Sequence, residues 1–292
     1  MIIGHQKQWR FLEKCAKEGR FSHAYLFSGV SQIGKKKIAL EWVSLLLGQD
    51  IKKGQLHPDA IFIEPEEKEI QIGQIKNLIW NLSLKPYSAP LKTAIIDRAH
   101  SMNREAQTSL LKTLEEPRGK SVIILLSEEP EYLLPTIVSR VETIKFYPVN
   151  DKEIKPYLKE RGLSEKDILE ILGMACGKPG LAIDLASDPQ KIQSFNQKIL
   201  DLNKILEGSL ASRFQYAQFL DDNPSEIKET LSIWLSFFRG ILLSKIEKRE
   251  EYLKYPAEKL KKILKSIENT ILLTSTTNIN SRLALENLML EF

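Results

Sequence analysis

Trp9, Leu12 and Ala16 recur at helical spacing between Gln6 and Glu18, and Tyr25, Leu26 and Phe27 then form a short unbroken apolar run. The first pattern predicts a helix and the second a buried strand that leads directly into Gly29. The alternation continues with a helix over Lys35 to Leu47, a strand over Ala60 to Ile63, and a helix over Ile72 to Leu82 that puts Ile72, Ile75, Leu78, Ile79 and Leu82 on one face. A strand over Thr93 to Ile96 and a helix over Arg104 to Glu116, stopped by Pro117, come next. Ser121 to Leu126 is a continuous apolar run of the kind found in a sheet covered on both faces, and Thr143 to Phe146 predicts a last strand. Strands alternating with helices imply an α/β domain with a mostly parallel sheet over residues 1–148.

Beyond Pro148 the period-2 and continuous apolar runs stop. Ile154 to Ala186 reads as a few short helices around Gly173, Gly177 and Gly180, which predicts a small helical domain over residues 149–190. From about Ile192 the pattern is long and amphipathic, seen best in Ile227, Leu231, Trp234, Phe238, Ile241 and Leu242. A helical bundle over residues 191–292 follows. Trp234, Phe237 and Phe238 offer more aromatic surface than a small bundle must bury alone, so hetero-oligomer assembly is expected there.

Composition narrows this picture modestly. The 292 residues include 42% hydrophobic and 27% charged ones, enough for folded cores and without a signature of disorder. A net charge of +4 is spread along the chain and neither demands nor excludes nucleic acid. The densest basic stretch, Lys254 to Lys265, is interleaved with apolar residues at helical spacing and reads as a solvated helix face. Cys15 and Cys176 lack CxxC partners, which suits a reducing cytoplasm and argues against a disulfide framework. Met1 to Arg10 lacks an apolar signal core, and Ile227 to Ile246 is broken by Lys228 and Arg239, so no membrane segment is expected.

Candidate chemistry begins at Gly29, where Gly29 to Lys35 has the GxxxxGK spacing of a phosphate-binding loop, set between a predicted strand and helix. Such a loop turns backbone N–H groups around phosphates, and its lysine reaches them. The alternative is a plain strand-to-helix turn. The next position should offer a Ser or Thr hydroxyl to Mg²⁺, but Lys36 stands there. Thr93 to Asp97 fits the second element, an apolar strand ending in a metal-associated Asp, unless Asp97 is a mere strand-end residue. Arg98 follows where hydrolysing relatives place a Glu, and a cation cannot polarise the attacking water. His100 and His57 read as structural.

His23 to Gly29, Ile95 to His100, Asn103 to Pro117 and Pro135 to Arg140 closely resemble the AAA+ clamp-loader subunits of bacterial DNA polymerase III, and Leu110 to Pro117 (LLKTLEEP) is the most specific stretch. The likeness extends from about Gly4 to Ala186. It implies an α/β P-loop (AAA+) domain with a parallel sheet, a small helical lid and an all-α C-terminal collar. It also implies a role in ATP-dependent loading of the sliding clamp on primed DNA, alongside tau/gamma ATPase subunits and a delta subunit, in the cytoplasm. Gly29, Gly34, Lys35 and Asp97 would form a degenerate nucleotide site.

Gly180 stands where active relatives carry a nucleotide-sensing Arg. The four-Cys zinc module of many members is absent between Leu47 and Pro58, so no zinc is expected, and ATP or ADP binding is not required. Arg140, in the family's Ser-Arg-Cys motif with Val141 for the Cys, would be an arginine finger acting in trans; its alternative is an ordinary loop-end arginine. The resemblance therefore implies little or no ATPase activity of the chain's own within a DNA-directed DNA polymerase holoenzyme. Competing readings are an ATP-hydrolysing motor subunit, a P-loop small-molecule kinase and a DNA-binding adaptor, separable by monomer turnover, a phosphoryl-transfer screen and salt-dependent duplex affinity.

Overall fold

A computed structural model describes residues 2–49, 57–66, 68–117, 119–246, 256–276 and 280–292. Contacts divide the chain into two units, Met1–Ile154 with Gly177–Gly180, and Lys155–Cys176 with Leu181–Phe292. The stretch expected as a small helical domain, residues 149–190, contributes to both.

The first unit carries α1 (Gln6–Glu18), β1 (Ala24–Ser28), α2 (Lys35–Leu47), β2 (Ala60–Ile63), α3 (Ile72–Ser83), β3 (Lys92–Ile96), α4 (Arg104–Glu115), β4 (Ser121–Ser127), the short α5 (Pro135–Val138) and β5 (Glu142–Lys145). All strand pairings are parallel, in the order β2-β3-β4-β1-β5. The expected α/β class is what the structure has. Strand alternation distributes side chains to two faces. Tyr25, Phe27, Val122, Ile124 and Leu126 pack on one side with Leu12 of α1 and Ile38, Trp42 and Val43 of α2. Ala24, Leu26, Ile123 and Leu125 pack on the other with Ile75 and Leu78 of α3, Ala106 and Leu110 of α4, and Ile137 of α5. The continuous apolar runs of β1 and β4 thus serve two layers at once.

Local signals set the helix ends. Gly19 and Gly48 close α1 and α2 in the left-handed conformation, a Gln71–Gln74 capping box opens α3, and Asn103 accepts the Ala106 N–H at the start of α4. The last strand starts one residue earlier than its apolar pattern suggests. Phe146 lies just past it, its N–H donating to the Ser28 carbonyl and its ring tilted against Phe27 at 5.2 Å.

After α6 (Asp151–Glu160), which spans the boundary between the units, come α7 (Glu165–Ala175), α8 (Pro179–Ser187), α9 (Pro189–Glu207), α10 (Leu210–Asp222), α11 (Pro224–Ile246), α12 (Ala257–Thr276) and α13 (Ser281–Glu291). In the second unit Trp234 and Phe238 are fully buried, and both rings pack on Phe292. Trp234 also stacks on Tyr216, whose phenol burial pushes up to about 12. This corrects the expectation of spare aromatic surface: α11 points two of its three aromatics into its own core, and Phe237 is partly buried. Within the basic stretch, Leu260 and Ile263 face the core while Lys261 pairs with Glu258 and Lys262 with Glu291. Lys254 lies outside the described residues. No helix of the described residues is long and apolar enough to cross a membrane.

Candidate nucleotide-binding site

The glycine loop follows β1 at the carboxyl end of the sheet, where parallel α/β folds place ligands. Gly29 has φ +152, and a Cβ there would come within 2.4 Å of the Phe146 carbonyl oxygen, so no side chain fits. Gly34 caps α2, and Lys35 opens that helix. Gly29, Gly34 and Lys35 are therefore where the spacing puts them.

Lys35 does not project from the loop. It is 7% exposed, and its ammonium donates to the carbonyls of Gly29 at 2.5 Å and Val30 at 2.8 Å. Burial lowers its pKa, opposed by the charges of Glu128 and Asp97. The lysine satisfies the loop's own acceptors.

Asp97 leaves β3 two strand positions from β1, roughly 10 Å across the sheet. Lys36 closes that gap: its ammonium donates to Asp97 Oδ2 at 2.8 Å, approaches Glu64 Oε2 at 3.4 Å and lies 4.4 Å from the centre of the Phe62 ring. The pair is half-buried. Asp97 Oδ1 accepts the Arg98 N–H, with Arg98 in the left-handed region at φ 50. The donor set does not suit Mg²⁺, because position 36 offers no oxygen and its cation already holds the carboxylate. Among the described residues no group of three His, Cys, Asp or Glu side chains could hold a metal.

Gly180 comes to the same place. Its N–H donates to the Gln32 carbonyl at 2.8 Å, and an added Cβ would meet that oxygen at 2.6 Å. The position that would carry a sensing arginine is thus backbone packed directly on the loop. Ser127, buried at the end of β4 beside Ser28, and His100, 3.4 Å from its hydroxyl, complete the rim. Ser127 and Glu64 were not singled out from sequence, since a Ser or Glu at a strand end carries no spacing signal. His57 closes a turn, accepting the Asp59 N–H on Nδ1.

Arg140 lies apart from these residues. It precedes β5, whose Glu142 is in register with Tyr25 of β1, so it sits at the amino end of the sheet, opposite the loop that follows Ser28. Its guanidinium pairs with Glu115 at 2.7 Å and donates to the Thr136 carbonyl and Ser139 Oγ. The sequence reading assigns it to a neighbour's nucleotide in trans, and the fold sets it apart from this chain's own loop.

A parallel sheet in this order with a glycine loop after its first strand defines a P-loop protein of the AAA+ type. Solved structures share that fold: a DNA polymerase III gamma subunit-related protein of Thermotoga maritima aligns with TM-score 0.56 and 22% identity over 97% of each chain. The Holliday-junction branch-migration motor RuvB of the same organism aligns with TM-score 0.51 and 17% identity over 67% of this chain and 64% of its own. Residues 4–150 match the family model described as DNA polymerase III, delta subunit. The chain is 30% identical over 223 residues to DNA polymerase III subunit delta' of Bacillus subtilis, covering 72% of this chain and 67% of that protein. It is 38% identical over 135 residues to the Pseudomonas aeruginosa subunit delta', 41% of each chain. It belongs to the DNA polymerase III delta prime family of clamp-loader subunits.

Proposed function

We propose that the chain is a non-hydrolysing or weakly nucleotide-binding clamp-loader subunit that donates Arg140 to a neighbouring ATPase subunit during ATP-dependent loading of the sliding clamp on primed DNA. Its partners are the tau/gamma ATPase subunits and delta, and it works in the cytoplasm as a non-catalytic part of the polymerase holoenzyme. The observation that carries this reading is the Lys36–Asp97 pair, which sets a tethered ammonium where hydrolysing P-loops hold a metal ion. Lys35 folded onto Gly29 and Val30, and Gly180 packed on Gln32, support it.

Purified chain with Mg-ATP is expected to show negligible turnover, and Lys36→Thr with Arg98→Glu is expected not to restore full turnover by itself, because Gly180 still leaves no sensing arginine. Robust steady-state hydrolysis by the wild-type monomer would overturn the reading in favour of a motor subunit. Tagged chain should co-purify with a P-loop ATPase and a ring-shaped clamp.

Elemental analysis of protein prepared without chelators is expected to show no stoichiometric zinc, since the sequence's two cysteines, Cys15 and Cys176, have no ligand spacing. One zinc per chain would refute this.

A further inference from the structure

Large apolar side chains stand in water at the end of α3. Trp80 is 61% exposed, Leu84 one turn later 43%, and Tyr87 on the following loop 85%. None serves the site described above. Such residues, Trp and Tyr above all, are the types that anchor protein interfaces.

The loop that presents Tyr87 is held from below. Asp59 is fully buried, and its carboxylate accepts the N–H groups of Tyr87 at 2.7 Å, Ser88 at 2.8 Å and Ala89 at 3.0 Å. Ser83 Oγ donates to the Trp80 carbonyl at 2.6 Å at the helix end. An aromatic fixed in place before binding loses less conformational freedom on association.

Beside this edge, between α3 and α4, lies a pocket of about 230 Å³ lined by Ile79, Leu82, Ser83, Lys112, Thr113 and Pro117. Its lining includes Glu116, the chain neighbour of Glu115, which pairs with Arg140. On the α3 side its Ile79 and Ser83 flank Trp80 in the chain. Its charge also has a sign: Lys76, Lys85 and Lys112 are exposed and, among the described residues, form no ion pair, although Glu116 adds one carboxylate to the pocket lining.

We infer that this α3–α4 surface seats the neighbouring ATPase subunit, taking from it a bulky apolar side chain flanked by carboxylates, at the boundary that Arg140 serves. The inference rests on the Arg140 reading for the identity of the partner. The pocket receives the apolar side chain, Trp80 and Tyr87 cover it from water, and the three lysines meet the flanking acids.

The test uses the full chain with purified ATPase subunit. Trp80→Glu is expected to raise Kd at least tenfold with an unchanged melting temperature, and Trp80→Phe to stay within about threefold of wild type. Ser83→benzoylphenylalanine is expected to photo-cross-link to the ATPase subunit. An unchanged Kd for Trp80→Glu combined with Tyr87→Glu overturns the inference, as does a cross-link to delta, the clamp or a second copy of this chain. So does a Trp80→Glu defect seen in anisotropy with primed DNA and not in subunit binding. Arg140→Ala run in parallel separates the two readings. If it leaves turnover intact while Trp80→Glu weakens assembly and the cross-link finds the ATPase subunit, the finger fails and the docking surface stands.

Discussion

Replacing Arg140 with alanine is expected to lower ATP turnover at the one neighbouring site it faces by a factor on the order of a thousand or more, the usual cost of removing an arginine finger. The subunit itself should stay folded and assembled. Arg140 is partly exposed, and its pair with Glu115 is a surface ion pair worth at most about 1 kcal/mol. A complex with several ATP sites would keep the others, so the loss appears as reduced clamp loading and reduced DNA-stimulated ATPase. Arg140→Lys should rescue poorly, because a compact ammonium lacks the planar two-donor fork. Steady-state ATPase and clamp-loading rates of reconstituted complexes check this, and a wild-type rate with Arg140→Ala makes the residue an ordinary surface arginine.

Asp59→Ala is expected to destabilise the α/β unit by about 3 kcal/mol or more, since it strips a charged acceptor from three N–H groups at once. Burial pushes the Asp59 carboxyl up, but the N–H groups of Ser88, Tyr87 and Ala89, with Lys92 nearby, outweigh it and hold its pKa below the ordinary 3.8. A carboxylate with a depressed folded pKa contributes stability in full above its unfolded value and loses it as pH falls through the folded one. The gap between wild type and Asp59→Asn should therefore be constant at neutral pH and close only below about pH 4. Denaturant melts at stepped pH measure it; a gap that widens on acidification would contradict the assignment.

The sheet was legible because its strands announce themselves. Ser121 to Leu126 has no polar break, as a strand covered on both faces requires, and Gly29 and Pro117 punctuate the elements beside it. The short helix Pro135–Val138 was not anticipated, since four residues are too few to show a period. At the loop, spacing located Gly29, Gly34, Lys35 and Asp97 and marked Lys36 and Arg98 as departures. It could not show that Lys36 reaches Asp97, a contact across 61 residues, or that Lys35 turns back on its own loop. Asp59 was passed over because an Asp after Pro58 looks like any turn residue, and its value lies in three partners far along the chain. Trp234 and Phe238 show the opposite error: aromatics counted as surplus were needed inside, since their environment depends on which way α11 rolls.

The Lys36–Asp97 pair also differs in kind from a metal site. A dissolved divalent ion occupies a carboxylate in proportion to its concentration, so a metal-dependent loop changes its charge state with the medium. Lys36 is delivered to Asp97 by the fold, at an effective concentration on the order of millimolar or above that no dialysis can alter. The negative charge at the end of β3 is neutralised from within the chain. Chelation and added magnesium are thus expected to leave this loop in the same electrostatic state.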